Sequence, residues 1–247
     1  MLILVPPQLW VQGALVRWRP DFRFYEARTR FLSRLDEKGL IRAWRVEAEE
    51  VSARLRDADH EAVLDSSSIT VIGTTLEPDI ERLIFAAEAA IKEVGISRLT
   101  GMRVQFQYIY PLEGSYDEIR IESARRVLSS LADLRIADYA VLLDGQRDDS
   151  PYEYQLEFGI VSSTEIPLRL SRLIGRMRGE GKQQPLPRSL PLSKLPEVAL
   201  FTDMNLRYVQ APVASEAGGA LRELWTEGRR EADALVEQIK STVTDKS

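Results

Sequence analysis

The sequence has no cysteine and only one histidine, His60. Without cysteine the chain cannot form disulfides, a thiolate nucleophile, a cysteine-ligated zinc site or an iron–sulfur cluster. A single histidine excludes sites that need several imidazoles, and it leaves His60 as the sole candidate base of a Ser-His-Asp arrangement. Chemistry based on carboxylates, lysine, arginine or tyrosine stays open. We expect no cofactor, and we favour a protein that is not an enzyme.

The sequence also lacks a long apolar run and an excess of positive charge. No segment approaches the roughly 20 apolar residues that cross a bilayer. The net charge is −5, which is not typical of a chain that binds nucleic acid or a membrane surface as a whole. With 44% hydrophobic and 29% charged residues, the composition is that of a globular protein. We therefore expect a cytoplasmic protein without membrane contact.

Residues 1–113 carry the periodic signals of an α+β fold in the order β-α-β-β-α-β. Apolar residues three or four positions apart indicate the helices, and alternating residues indicate the strands. Within 44–55 the alternation changes phase near Glu49 and Glu50, which predicts a bulged strand. The order is that of the ferredoxin-like split βαβ arrangement, with both helices on one face of an antiparallel sheet. The predicted strands are 9–18, 44–55, 61–72 and 104–110, and the predicted helices are 21–39 and 80–94.

Residues 114–247 predict a second α+β half. A helical pattern is followed by a hairpin with its turn at 147–151, and later by a strand and an amphipathic C-terminal helix. Residues 175–196 are rich in glycine, proline, glutamine and basic residues, which is typical of a long loop. We expect a second antiparallel sheet with flanking helices. Its predicted elements are helix 115–134, hairpin 139–160, strand 198–208 and helix 221–243.

The most segregated charge lies between residues 168 and 194, where seven basic residues accompany one acid, Glu180. A basic segment of this kind contacts nucleic-acid phosphates or an acidic protein, and it also occurs as a solvated loop. Gly175, Gly181 and Lys182 approximate a P-loop, but the spacing is one residue too long and Gln183 replaces Ser or Thr. The candidate anion- or nucleic-acid-binding residues are Arg169, Arg172, Arg176, Arg178, Lys182, Arg188 and Lys194.

Two groups of carboxylates could hold a metal ion but have the composition of turns. Asp57 and Asp59 lie within four residues of the chain together with His60, and Asp144 precedes Asp148 and Asp149. Aspartate is common in turns because its side chain hydrogen-bonds to nearby backbone. We favour the turn interpretation for both groups and predict no metal site.

Aromatic residues provide the remaining signals. Tyrosines at 108, 110, 152 and 154 alternate on strands, and we expect them to pack in a core or interface, since RNA-binding sheets place basic residues beside such rings. Tryptophan is enriched at protein interfaces. We take Trp225, Leu221 and Trp10 as interface candidates.

Near the C-terminus, a strand with an acidic residue, 200–206, is followed by a short polar loop and a long amphipathic helix that begins at Leu221-Arg222-Glu223-Leu224-Trp225. In this the C-terminal part resembles an uncharacterised, sporadically distributed family of prokaryotic proteins of about this length. The family's central arginine–tyrosine–asparagine stretch has only an approximate counterpart at 103–106. The resemblance implies mobile or phage-defence-type gene neighbourhoods and carries over no functional residue.

These observations support three hypotheses of function. The first is a non-catalytic binding or assembly subunit of a protein complex, with a protein partner or as a homo-oligomer such as a homodimer. The second is a nucleic-acid-associated subunit that uses the basic segment 168–194. The third is a carboxylate- or metal-dependent enzyme built on the aspartate groups. We favour the first, because no residues assemble into a catalytic set in the sequence.

Overall fold

The computed structural model describes residues 8–56, 60–73, 79–128, 140–146, 150–169 and 195–244. Within these ranges the chain forms an α+β fold of nine strands, four long α-helices and a 3-10 helix at Ala214–Glu216. The strands are β1 Gln8–Trp18, β2 Ile41–Val46, β3 Glu50–Leu55, β4 His60–Asp65, β5 Ser68–Gly73, β6 Leu99–Pro111, β7 Val141–Gln146, β8 Tyr152–Ser162 and β9 Val198–Tyr208. The long helices are α1 Phe24–Glu37, α2 Ile80–Val94, α3 Tyr116–Val127 and α4 Ala217–Thr244.

All nine strands belong to one antiparallel sheet in the order β2-β3-β4-β5-β1-β6-β9-β8-β7. The two halves of the sequence meet at β6 and β9, which pair from Arg103 opposite Arg207 to Pro111 opposite Ala199. Strands β7, β8 and β9 therefore extend the sheet of the first half. The separate second sheet that the sequence predicts does not form.

The two segments that the sequence predicts as single strands, 44–55 and 61–72, are both hairpins. The phase change at Glu49 and Glu50 marks a turn between β2 and β3, where the Glu47 amide donates to the Glu50 carbonyl at 2.8 Å. The Asp65 carboxylate organises the next turn by accepting from the Ser67 amide at 2.6 Å and the Ser68 hydroxyl at 2.7 Å. The first half consequently has six strands, and the predicted four-stranded βαββαβ arrangement is not confirmed.

The helices cover one side of the sheet, which we call the helix face. Strand alternation places even-numbered residues of β6 and β9 on this face, where Phe106 packs edge-on against Trp225 of α4 at 5.2 Å between ring centres. Helix α2 begins at an Asp79 cap, whose side chain accepts from the Arg82 amide, and ends at Gly95, whose φ is 76°. Its buried stripe includes Leu83, Ala87 and Val94. The main core therefore lies between the sheet and the helices.

A smaller apolar cluster lies on the opposite side, which we call the second face. It contains buried residues of the five strands β5, β1, β6, β9 and β8, and of the segment that follows β8. Its members are Val11, Leu15, Ile72, Ile109, Val161, Ile166, Ala199 and Phe201. The central strands are therefore buried on both faces. Among the described residues, no helix has the length and apolar character needed to cross a membrane.

Helix α4 lies so close to the sheet that Gly228 has no room for a side chain. A Cβ at Gly228 would lie 2.7 Å from Phe106 and 2.9 Å from Val104, whereas a Cβ at Gly219 in the same helix would have nothing within 4 Å. We expect Gly228→Ala to lower the free energy of unfolding by up to about 2 kcal/mol, because overpacking outweighs the gain in helix propensity. Gly219→Ala should raise it by roughly 0.4–1 kcal/mol. Urea unfolding of both variants tests this, and equal stabilisation would contradict the close approach.

Candidate interaction surface

Three exposed apolar side chains lie where the start of α1 meets the edge strand β2, and a fourth, Phe22, precedes α1 by two residues. Their exposed fractions are 89% for Phe22, 48% for Tyr25, 64% for Trp44 and 48% for Val46. We call this surface, together with Arg28, the α1–β2 corner. Soluble proteins rarely leave a group of large apolar side chains exposed without a function. The corner is therefore the first candidate for a binding surface.

Arg28 connects the two parts of the α1–β2 corner. Its guanidinium donates through Nη1 to the Glu47 carbonyl at 3.2 Å and lies 5.9 Å from the centre of the Tyr25 ring. The neighbouring Phe24 is buried and contacts Tyr25 edge-on at 5.2 Å, which anchors the first turn of α1. Tyr25 and the end of β2 are thus held beside one another.

The backbone of β2 adds hydrogen-bonding groups to the corner. The Glu47–Glu50 bond shows that the N–H of Glu47 points toward β3, and the backbone groups of successive residues alternate in direction along a strand. Those of Arg45 therefore point toward β3, and those of Trp44 and Val46 point outward. No described strand pairs with this outer side of β2. The corner combines exposed aromatic side chains with an open strand edge.

The second face carries a row of buried polar side chains on the central strands. Gln107 lies opposite Asp203, which lies opposite Glu157. The Gln105 amide donates through Nε2 to Asp203 Oδ1 at 2.7 Å. Both amide atoms of Gln107 are buried and have no hydrogen-bond partner among the described residues. Because such a group loses water without replacement, the Gln107 side chain costs stability.

Buried tyrosines on the helix face hold α4 against the sheet. The Tyr108 hydroxyl donates to Asp233 at 2.7 Å, and the Tyr152 hydroxyl donates to Glu223 at 2.5 Å. Burial, and then the hydrogen bond to a carboxylate, raise the pKa of each of these two tyrosines well above its ordinary value of 10.0. The tyrosines therefore pack in the core as the sequence predicts, with neutral hydroxyls at physiological pH.

A groove of about 620 Å³ lies between α1, α2 and the 3-10 helix. Its charged side chains have both signs, and Arg34 already pairs with Glu37 at 3.7 Å. The groove therefore selects no particular ligand charge. Its lining includes Arg34, Phe85, Glu88, Lys92, Ile96 and Ser215.

Most of the predicted basic site falls outside the described residues. This applies to Arg172, Arg176, Arg178, Lys182, Arg188 and Lys194. Arg169 is described, and its guanidinium forms an ion pair with Glu157 and lies 6.0 Å from the centre of the Phe201 ring. Arg169 is thus engaged on the second face of its own sheet. The nucleic-acid hypothesis stays a prediction.

None of the three predicted interface residues belongs to the α1–β2 corner. Leu221 and Trp225 are buried at 1% and 6% exposure, inside the core between α4 and the sheet. Trp10 belongs to strand β1, and its side chain is outside the described part. The sequence signal for the corner was the row of charges at Arg45, Glu47 and Glu49 beside Trp44, because charges on alternate positions are typical of an edge strand.

The predicted acidic groups are described only in part. Asp57, Asp59, Asp148 and Asp149 lie outside the described residues. Asp144 is exposed on β7 and accepts from Gln155 Nε2 at 2.9 Å. Within the described ranges, no three carboxylate or imidazole groups come together as a metal site would require.

Neither a model of a known protein family nor a curated protein matches the chain.

The buried amides of the second face make a paired prediction. Gln107→Met should raise the free energy of unfolding by about 1 kcal/mol, because it removes a buried amide without described partners and keeps the volume. Gln105→Met should lower it by roughly 1–3 kcal/mol, because it removes the donor to Asp203. Equilibrium unfolding in urea measures both. Equal losses in the two variants would show that Gln107 is also satisfied.

The raised tyrosine pKa values predict instability in alkali. Above pH 10 the unfolded chain releases the Tyr108 proton while the folded protein retains it, so each such tyrosine lowers the free energy of unfolding by about 1.4 kcal/mol per pH unit. Tyr108→Phe should reduce the slope of stability against pH by this amount in that range and leave the slope unchanged near neutrality. Urea unfolding at a series of alkaline pH values tests it, and an unaltered slope contradicts it.

Proposed function

We propose that this protein is a non-catalytic binding or assembly subunit that docks a partner protein on the α1–β2 corner. The observation that carries the proposal is the exposure of Trp44, at 64%, beside the outward backbone groups of an unpaired edge strand. Tryptophan, tyrosine and arginine supply most of the binding energy in protein interfaces. The corner offers all three in Trp44, Tyr25 and Arg28.

The edge strand gives the corner a specific mode of recognition. An added strand forms backbone hydrogen bonds with an open edge, and neighbouring side-chain pockets select its sequence. In β2 the backbone groups of Trp44 and Val46 point outward, so an added strand would bond at the two residues of β2 that expose large apolar side chains. Backbone pairing and apolar contact would then occur at the same positions.

We propose further that the first half is a ferredoxin-like unit enlarged by the hairpin of β2 and β3. Support comes from the order β6-β1-β5-β4 within the sheet, with α1 following β1 and α2 joining β5 to β6. Under this interpretation β2 and β3 are additions at the edge of a small α+β unit. The added hairpin then carries Trp44 and Val46 away from the core.

A pull-down from source cells tests the proposed function. We expect tagged wild-type protein to recover a protein in stoichiometric amount after nuclease treatment, and Trp44→Lys to lose at least nine-tenths of it, because a lysine cannot fill an apolar pocket. The recovered protein is then purified and titrated against both forms. Leu142→Lys is the control, since Leu142 is a similarly exposed residue, at 57%, on the opposite edge strand β7.

Two results would contradict the proposed function. Equal recovery by wild type and Trp44→Lys would remove the corner from the binding surface. Recovery of nucleic acid, with loss of all proteins after nuclease, would favour the basic segment 168–194 instead. Circular dichroism of each variant confirms that the fold is retained.

A further inference from the structure

Charges along the exposed edge are segregated by sign. Arg42 and Arg45 lie in the first part of the edge, and Glu47 and Glu49 lie in the second. A second copy of the same strand, running antiparallel, would place its acidic part against this basic part and its basic part against this acidic part. A parallel copy would oppose like charges, which is unfavourable. The edge is therefore complementary to itself in one direction only.

The outward backbone groups determine the register of such a pair. Only residues whose backbone groups point outward can exchange hydrogen bonds across the seam, and in the regular part of β2 these are Trp44 and Val46. A two-fold axis at Arg45 places Trp44 opposite the partner's Val46, and Val46 opposite the partner's Trp44. An axis at Trp44 would instead require Arg42, which lies where the pairing of β2 with β3 is irregular.

We infer that the partner on the α1–β2 corner is a second copy of this chain, with the two β2 strands paired antiparallel about a two-fold axis at Arg45. This inference rests on the proposed function, because it names the occupant of the same surface. The two sheets would join into one continuous sheet. On the helix face, the exposed Trp44 and Val46 of each copy would cover one another across the seam.

The second face of the seam carries a network of four charges. Arg45 pairs with Glu47 in its own chain at 2.5 Å. With the axis at Arg45, the two arginines are directly opposite, and each lies diagonally across from the partner's Glu47, roughly 7–8 Å away between backbones and within reach of long side chains. The two glutamates therefore offset the repulsion between the arginines, and the network depends on both signs being present.

The charges of the β2 edge also fit a two-fold dimer better than a filament in which β2 of one copy pairs with β7 of the next. Pairing of β2 with β7 of another copy would leave a β2 and a β7 free at the ends, so that assembly would continue into a filament. Strand β7, Val141–Gln146, has Asp144 but no basic residue to meet the acidic part of the β2 edge. Two-fold pairing of β2 leaves neither copy with an open β2 edge, so assembly ends with the dimer.

Sedimentation equilibrium over a range of concentrations tests the inference. The wild-type protein is expected at twice the chain mass of 28.0 kDa, and Trp44→Lys and Val46→Pro are expected at the chain mass itself. Proline at 46 removes an outward-pointing N–H and leaves the bonds from β2 to β3 intact, so it tests backbone pairing directly. Leu142→Lys on the opposite edge should remain a dimer.

Charge reversal supplies a second test with variants that should leave the fold of the monomer intact. Glu47→Arg and Arg45→Glu should each raise the dimer dissociation constant at least tenfold, since all four charges then have one sign. The double variant with both changes should restore it to within about threefold, because complementarity is recovered. An exposed ion pair contributes only about 0–1 kcal/mol within a chain, so the monomer should fold in each case.

Several outcomes would overturn the inference. A monomer at all concentrations, a dimer that survives Trp44→Lys and Val46→Pro, or growth beyond two copies would each do so. The proposed function has a separate test, because a monomeric wild type that still recovers a partner through Trp44 keeps the corner as a binding surface for another protein. If Trp44→Lys changes neither the molecular mass nor the recovery of a partner protein, both the dimer and the proposed function are contradicted.

Discussion

The ladder between β6 and β9 is the interaction on which the rest of the structure depends. It joins β6, from the first half of the sequence, to β9, from the second half. The two strands pair in register over nine residue pairs, from Arg103–Arg207 to Pro111–Ala199. Helix α4 follows β9 and packs on β6, where Trp225 contacts Phe106 and Asp233 accepts the Tyr108 hydroxyl. A residue of either half thus completes the core of the other. The charged and amide side chains of the second face are buried because they lie on these same central strands.

The open sheet built around this ladder has edge strands, β2 on one side and β7 on the other. The strands at its centre are 11 to 13 residues long, and those toward its edges have six. Short outer strands limit the backbone that is open to accidental pairing, which is a common protection of sheet edges. The hairpin turn at Glu47–Glu50 shortens the first segment and at the same time directs the backbone groups of Trp44 and Val46 outward. The same local feature therefore limits the edge and determines which residues it presents.

The sequence predicts the α+β class and the helices well, because α2 has a complete apolar stripe and clear caps at Asp79 and Gly95. It predicts the hairpin of β7 and β8 but not the two hairpins of the first half. A two-residue turn of Ala48 and Glu49 without glycine or proline looks like a bulge in a continuous strand. Nor does it predict which tryptophan is exposed. Trp225 and Trp44 both lie on apolar stripes, and only the position of their elements, at the centre or at the edge, separates them. The position of a strand or helix in the sheet follows from pairing between distant segments, such as β6 with β9. Local sequence patterns carry no information about such pairing.

Charged residues on an edge strand normally prevent pairing, so the charges of β2 need a reason that fits the exposed Trp44. Arginines or glutamates alone would repel a second copy as well as most other strands. A strand with Arg42 and Arg45 followed by Glu47 and Glu49 repels most alternatives but accepts one whose charges run in the opposite order. Its own antiparallel copy always meets that condition. Under the proposed pairing, these charges restrict which strands can align with β2, and Trp44 and Val46 supply the apolar contact for a strand whose charges match.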